Sequence, residues 1–386
     1  MAEAPLRLSL DVSAVPVHAV GAGQYTLQLA GALAARADVD LTLYSRQDDR
    51  ARWPDVAPAA RLVAGAPGPR PLRLAWEQLR LPTLLARSGV AVHHGPHYTM
   101  PERTTVPTVV TVHDLSFFEA PQWHQRSKVL LFRRAIARAA HRAAAVVCPS
   151  RVTADELARW CRVGTEVFVA PHGVDTSRFR PDEPGPGSDR AVLAAVDLRL
   201  VDGRPYLLFV GTLEPRKDVP TLIGAFAQVA GRHPDALLVL AGGDGWGVAT
   251  VEQAIERSGV ASRVVRTGYV PDGTVPALLR SATAVVYPAL YEGFGLPALE
   301  ALACGVPLVT TTGTAMEEVA GNAAVLVRPG DQAALAEAID AELTGRAGQG
   351  PSRDERRPRG LAVAASHTWE ESARRHLEAY RHAAGR

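Results

Sequence analysis

The stretch YLLFVGTLEPRKDVPTLIGAFAQVAGRHPDALLVLAGG, residues 206–243, decides the fold class. YLLFVGT (206–212) is a short apolar run closed by glycine and threonine, and it reads as a strand buried on both faces. TLIGAFAQVAGR (221–232) spaces its apolar residues at helical period, and ALLVLAGG (236–243) is a second apolar run ending in glycines. Two such strands joined through one helix form a βαβ unit, whose strands are parallel.

The same alternation extends in both directions. Downstream, RVVRTGYV (263–270), AVVYPA (284–289) and PLVTT (307–311) continue the series of strands. Upstream, PDEPGPGSDR (181–190) is dense in Pro, Gly and charge and reads as a linker or exposed loop. Before it, strands are expected at LRLSLDV (6–12), DLTLYSR (40–46), VAVHH (90–94), TVVTVH (108–113), AAVVCPS (144–150) and EVFVAP (166–171). A helix is expected from Tyr25 to Arg36. The chain is therefore α/β, with two doubly wound parallel sheets. The expected division is 1–180, a linker at 181–204, a second domain at 205–365 and a final helix at 366–386. Within that helix, HTWEESARRHLEAYRHA (367–383) is amphipathic, with Thr368 as N-cap and Glu370 and Glu371 in the first turn. GRAGQGPSRDERRPRG (345–360) lacks a periodic apolar pattern and reads as a mobile surface loop.

With 386 residues, 47% hydrophobic and 21% charged, the chain has enough apolar material for two cores of ordinary soluble type. Cys148, Cys161 and Cys304 have neither paired nor metal-ligand spacing. The first twenty residues lack a basic segment followed by an apolar run, and no stretch approaches membrane-spanning length, so a cytoplasmic protein is expected. Residues 1–180 carry 22 Lys and Arg against 15 Asp and Glu; the remainder carries 20 against 25. A basic half suits a phosphate-bearing or membrane-bound partner, and it equally suits solvated surface arginine.

The chemistry concentrates in three stretches. In YEGFGLPALEALACGVPLVTT (291–311), Glu292 and Glu300 lie eight positions apart across a strand-to-helix junction. Gly293 and Gly295 let the backbone approach a ligand, and Pro297 suits a first helical turn. The N-terminus of that helix would turn N–H groups toward a phosphate, and Glu300 could accept two hydroxyls of a ribose. On residues alone, both acids could instead cap or solvate the helix. In GTLEPRKDVPTLIGAF (211–226), Arg216 and Lys217 can neutralise a diphosphate, or form a solvated basic turn. The third stretch, Gly21-Ala22-Gly23-Gln24-Tyr25, is a glycine-rich turn between a strand and a helix. A dinucleotide fingerprint would want a third glycine at position 26, where Thr stands, and an acid ending the second strand, where Arg46 stands. Arg46 could meet a 2′-phosphate, so a nicotinamide reading stays open here. His113, in HDL at a strand end, could be structural or functional.

The 291–311 stretch resembles the Glu-seven-residues-Glu motif of glycosyltransferase family 4, whose members retain anomeric configuration. Both acids, both glycines, Pro297 and the following Cys-Gly-Val-Pro fit it. RLAWEQLRLPTLLARSGVAVHHGPHYTMP (73–101) and TAMEEVAGNAAVLV (314–327) also fit, so the similarity runs from Gly21 to the final helix. The resemblance implies the GT-B fold, two Rossmann-like domains facing a cleft, with the last helix crossing back to the N-terminal domain. It further implies an acceptor-binding N-terminal domain and a nucleotide-sugar donor in the second. By the same resemblance His113, Glu292, Arg216 and Lys217 would be catalytic. Gly21, Gly23, Gly293, Phe294, Gly295, Leu296 and Glu300 would join Arg216 and Lys217 in holding the donor, and Glu318 would lie near its base or sugar. PHGVD (171–175) matches a family segment in which His172 replaces Asn, which puts that residue's role in doubt.

The nearest subgroup uses GDP-mannose, so the expected activity is retaining transfer of a hexose, mannose first. UDP-sugar transfer, a same-fold epimerase or phosphorylase, and a non-catalytic nucleotide-sugar-binding subunit are the alternatives. No cofactor, metal or nucleic acid is expected, because the single Asp-x-Asp, Asp38-Val39-Asp40, lies away from the other motifs. The acceptor would be a glycan, a lipid-linked sugar or a small molecule. RSKVLLFRRAIARAAHR (126–142) could lie peripherally on the anionic inner face of a membrane, or pack as an amphipathic helix on its own sheet.

Overall fold

A computed structural model describes residues 4–182, 185, 187–346 and 351–385. The chain forms two compact units: residues 1–173 with 369–386, and residues 174–368.

Among the described residues unit 1 holds seven strands: β1 (Leu6–Asp11), β2 (Val39–Arg46), β3 (Arg61–Ala66), β4 (Val92–Gly95), β5 (Thr108–Thr111), β6 (Ala145–Cys148) and β7 (Glu166–Val169). All pair in parallel, in the order β3-β2-β1-β4-β5-β6-β7. The described residues of unit 2 form six: β8 (Tyr206–Val210), β9 (Leu237–Ala241), β10 (Val264–Gly268), β11 (Ala284–Tyr287), β12 (Leu308–Thr311) and β13 (Val325–Val327). Their order is β10-β9-β8-β11-β12-β13, again parallel. Every residue of β9 is buried, because helices cover both faces of a parallel sheet. At about 1.5–3 kcal/mol per buried Leu or Val, such runs dominate the stability of each core.

Strand order reverses between β1 and β4 in unit 1, and between β8 and β11 in unit 2. Loops that leave adjacent strands in opposite directions open a crevice at such a point, so each unit has one built-in place for a ligand.

Two of the four edge strands, β3 and β13, escaped the sequence reading. β3 (RLVAGA) is mostly half-buried and contains Gly65, and β13 is three residues long. Neither presents the continuous apolar run of a central strand. Two expected loops are also corrected. Residues 181–204 are not a plain linker: Ser188–Val196 is a helix, and Leu193 and Leu200 enter the core of unit 2. Residues 345–360 are not a plain surface loop: a helix runs Arg353–Ser366, opened by a capping box between Ser352 and Glu355. It is anchored by Arg356, buried against Glu342, and by Gly360, which lies close to Leu302. A buried arginine and a glycine give no hydrophobic period, so the pattern was silent. Residues 347–350 of that stretch lie outside the described residues.

The last helix, Trp369–Ala383, packs on unit 1 although it follows unit 2 in sequence. The basic stretch is a single helix, Arg126–Arg142, that buries only Ile136, Ala139 and Ala140. Among the described residues no helix is long and apolar enough to cross a membrane.

Candidate donor site

The loops after β8 and β11 flank the switch point of unit 2. After β8, a single 3-10 turn at Pro215–Lys217 ends on Asp218, whose φ of 50° is left-handed, and the helix Val219–Val229 follows. This break in direction turns Arg216 and Lys217 toward the neighbouring loop. The backbone of Leu290 donates to Arg216 O at 2.8 Å and ties the two loops together.

Glu292 is the centre of the cluster. Its Oε1 lies 2.7 Å from Arg216 Nη1, accepts from the Tyr287 hydroxyl at 3.1 Å, and contacts Lys217 Nζ. Lys217 also meets the Tyr287 hydroxyl and sits 4.7 Å above its ring. Arg216 Nε is paired with Glu214 at 2.8 Å. Lys217 is 6% and Glu292 9% exposed, so these charges attract in a medium far less screening than water. Burial raises the Tyr287 phenol, which keeps its proton and acts as donor. Removing Glu292 would take the carboxylate from Lys217 and leave Arg216 with Glu214 alone, which is why such a group resists piecemeal change.

Glu300 lies on the helix Leu296–Ala303, which Gly295 precedes. Gly295 has φ 96°, and a Cβ there would come within 2.5 Å of Met316 Cγ, so only glycine fits. Removal from water raises the Glu300 carboxyl to about 8, against the pull of Arg178 and with the help of Asp272. The structure thus brings Arg216, Lys217 and Glu292 together and sets Glu300 on the adjoining helix. Phe294 is placed differently from a ligand-contacting side chain: it is 4% exposed and part of the unit 2 core, so its side chain supports the loop from beneath. Gly293 and Leu296 lie on either side of it. Glu318 stands in the first turn of the helix Ala315–Ala320.

In unit 1, Gly21 caps the helix Ala22–Ala34, and Gly23 lies in its first turn against Pro16 and Ala19. His113 follows β5 and is 8% exposed. Its Nε2 lies 2.7 Å from Pro96 O, so that nitrogen carries the proton and Nδ1 is left as the acceptor. Burial lowers its pKa, opposed by the Pro96 carbonyl and Asp114, so a neutral imidazole is favoured. Tyr25 meets the His113 ring edge-on at 4.9 Å and lies 4.6 Å from His172.

Tyr25 also belongs to a buried chain of hydrogen bonds. His376 Nδ1 is 2.7 Å from Ser372 O and must donate; its Nε2 then accepts from the Tyr25 hydroxyl at 2.8 Å. Thr111 Oγ1 donates to Tyr25 at 2.7 Å and accepts from His94 Nε2 at 2.8 Å. His94 Nδ1 accepts from Tyr380 at 2.8 Å. Only this one assignment of protons fills every contact. The chain fastens the last helix to β4, to β5 and to the helix that begins at Gly21.

Sequence reasoning missed Tyr25 and Tyr287 as site residues. The only signal was a tyrosine at the end of an apolar run in AVVYPA and one following the glycines in GAGQY. The nicotinamide reading of Arg46 is overturned. Arg46 is buried, its Nε paired with Asp48, its Nη1 donating to Ser13 O and Val15 O and its Nη2 3.9 Å from Asp49, so it is committed to the protein's own acids and carbonyls. Asp38 pairs with Arg36 and Arg381 at the start of β2. Among the described residues no three of His, Cys, Asp and Glu are grouped to hold a metal ion.

The family profile described as Glycosyltransferase Family 4 matches residues 20–178, and that described as Glycosyl transferases group 1 matches residues 195–358. O-antigen chain mannosyltransferase B of Escherichia coli is 30% identical over 294 residues, covering 75% of this chain and 74% of that protein. The chain belongs to glycosyltransferase family 4. It is therefore a transferase, and the glycosyltransferase relatives extend to a D-inositol 3-phosphate glycosyltransferase of Salinispora tropica. That protein is 30% identical over 352 residues, covering 79% of this chain and 71% of its own length. The fold is GT-B. Sucrose-phosphate synthase from Thermosynechococcus elongatus superposes with a TM-score of 0.76 over 97% of this chain and 98% of its own, at 24% identity.

Proposed function

We propose that this family 4 enzyme transfers a hexose, mannose in the first instance, from GDP-mannose to a hydroxyl of a glycan or lipid-linked acceptor, with retention and without a metal. The observation that carries the reading is the cluster of Arg216, Lys217, Tyr287 and Glu292 at the switch point of unit 2. Its two cations are held ready beside a helix start, where a diphosphate would exchange the Glu292 carboxylate for its own oxygens. The 30%-identical relative named as a mannosyltransferase favours mannose.

In this reading Glu300 accepts or donates to the ribose diol, and Gly293 to Leu296 present backbone N–H groups to the donor. The acceptor-binding role falls to unit 1. The loop at Gly21 and Gly23 is assigned to the donor phosphates, and His113 Nδ1 to a hydroxyl of the transferred sugar. The acceptor oxygen attacks the anomeric carbon on the face the diphosphate leaves. The C–O bond to phosphate breaks as the new C–O bond forms, and the acceptor proton passes to a phosphate oxygen. Arg216 and Lys217 take up the charge of the departing diphosphate. Such a donor is a cytoplasmic metabolite, which places the enzyme in that compartment, with the basic helix Arg126–Arg142 free to approach an anionic membrane.

Thermal stabilisation by GDP, UDP and their sugar conjugates tests the donor, with Glu300→Ala as the control. Stabilisation by GDP and GDP-mannose, lost in the variant, is the expected result. Preference for UDP sugars would replace mannose by a UDP-linked hexose or N-acetylhexosamine, and no stabilisation by any would remove the reading. An inverted product anomer in the proton NMR spectrum would refute the same-face mechanism, and full activity in EDTA is the expected metal result.

A further inference from the structure

Unit 1 contains a groove of about 510 Å³ that none of the roles above uses. Its walls are the helix Arg70–Leu79 on one side, the helix Arg126–Arg142 on the other, and the chain at 99–103 between them. It starts beside the switch point of the sheet. Asp11 ends β1, and its charge acts on Glu77 in the groove. Gly95 ends β4, and the following loop folds back so tightly that a Cβ on Gly95 would come within 2.2 Å of Thr99 O. That fold-back holds Tyr98 at a φ of 66°, an uncommon conformation for a tyrosine. One loop thereby joins two features: Pro96 O holds His113, and Thr99 and Met100 line the groove.

The lining divides by chemistry. Arg134, Arg138 and Arg142 succeed one another at intervals of four along one helix face, and Arg103 lies on the adjoining chain. Arg138 pairs with Glu102 at 3.2 Å. Among the described residues Arg103, Arg134 and Arg142 have no ion-pair partner. Leu74, Leu131 and Met100 supply the apolar part of the lining, and Leu79, also on it, is 72% exposed. Glu77 is 5% exposed, and burial raises its carboxyl to about 8, so it brings no negative charge to the floor at neutral pH.

Building on the transfer reading, we infer that this groove holds the diphosphate and first apolar units of a lipid-linked acceptor, with the glycan end directed along the 96–100 loop toward His113. Three unneutralised guanidinium groups suit two adjacent phosphates, each of which can take a bidentate pair. A free anion would leave the apolar lining and Leu79 in water, whereas an alkyl chain covers them. A neutral Glu77 can donate to a phosphate oxygen, where an ionised one would repel it.

The test uses the full chain without donor and measures the affinity of geranyl diphosphate against inorganic pyrophosphate and geraniol. Geranyl diphosphate is expected to bind at least about tenfold more tightly than either, because both halves of the groove contribute. The double variant R134E/R142E is expected to lose at least about tenfold, while Arg162→Glu, a single charge reversal of the same kind elsewhere on unit 1, keeps the affinity. Equal binding of pyrophosphate, equal binding of geraniol, or equal loss in Arg162→Glu would each overturn the inference. GDP stabilisation with no geranyl diphosphate binding would overturn it alone. Geranyl diphosphate binding without GDP stabilisation would overturn the transfer reading and leave a lipid-diphosphate site.

Discussion

Replacing Glu77 with glutamine changes one proton-binding group and almost nothing of shape. The wild-type carboxyl is raised from 4.5 to about 8, by burial first and by Asp11 second, against the Thr99 hydrogen bond and Arg73. Below about pH 4.5 the group is protonated in both folded and unfolded chains, and above about pH 8 it is ionised in both. Between those limits the unfolded chain releases the proton and the folded chain keeps it. The wild type therefore loses stability as pH rises through the window, by about 1.4 kcal/mol per pH unit. The width of the window caps the loss at about 5 kcal/mol. Glutamine cannot ionise, so the stability of Glu77→Gln relative to wild type should climb from about pH 5 to about pH 8 and then level off. Native-state hydrogen exchange of the β1 and β4 amides reports the opening of unit 1 by itself and is the assay. Parallel pH profiles for the two proteins would refute the reasoning, because they would mean that Glu77 is ionised in the fold.

Tyr25→Phe keeps the ring against His113 but removes the hydroxyl that links Thr111 to His376. Leaving those buried groups short of a partner should cost unit 1 about 1–3 kcal/mol, read by the same exchange measurement; no change would mean the chain of bonds adds nothing. Gly295→Ala forces a left-handed φ on alanine and drives its Cβ into Met316. A loss of about 1–3 kcal/mol together with weakened GDP stabilisation is expected, and wild-type melting would contradict it. Lys217→Met removes one of the two cations held by Glu292. A fall of about 10² or more in kcat/KM for the donor is expected, and a fall smaller than about fivefold would remove Lys217 from the chemistry.

Local sequence was sufficient wherever a residue's neighbours in the chain carry its environment. Central strands such as β9 are buried on both faces, so their apolar runs state both the element and its depth. The 291–311 stretch encodes a strand end, a glycine-only turn and a helix start in consecutive residues, and Gly295 occupies the position that demands it. β3 was illegible because its residues are largely half-buried or exposed and include Gly65, and β13 because it is three residues long; β7 and β10, edges as well, keep apolar runs that show. The helix Arg353–Ser366 was illegible because its anchors are a buried ion pair and a glycine contact.

Tertiary structure alone decided which charges meet. Arg216 and Glu292 are far apart in the chain, and nothing local says that Glu292 Oε1 receives Arg216, Lys217 and Tyr287 together. Tyr25 and His376 come from opposite ends of the chain, and the last helix must fold back onto unit 1 before their proton order has meaning. Glu77 has the sequence of an ordinary helical acid; only the packing around it withholds the water that would ionise it. Sequence period records how much of a segment is covered. It does not record which distant side chain does the covering, and the chemistry of this site depends on that second fact.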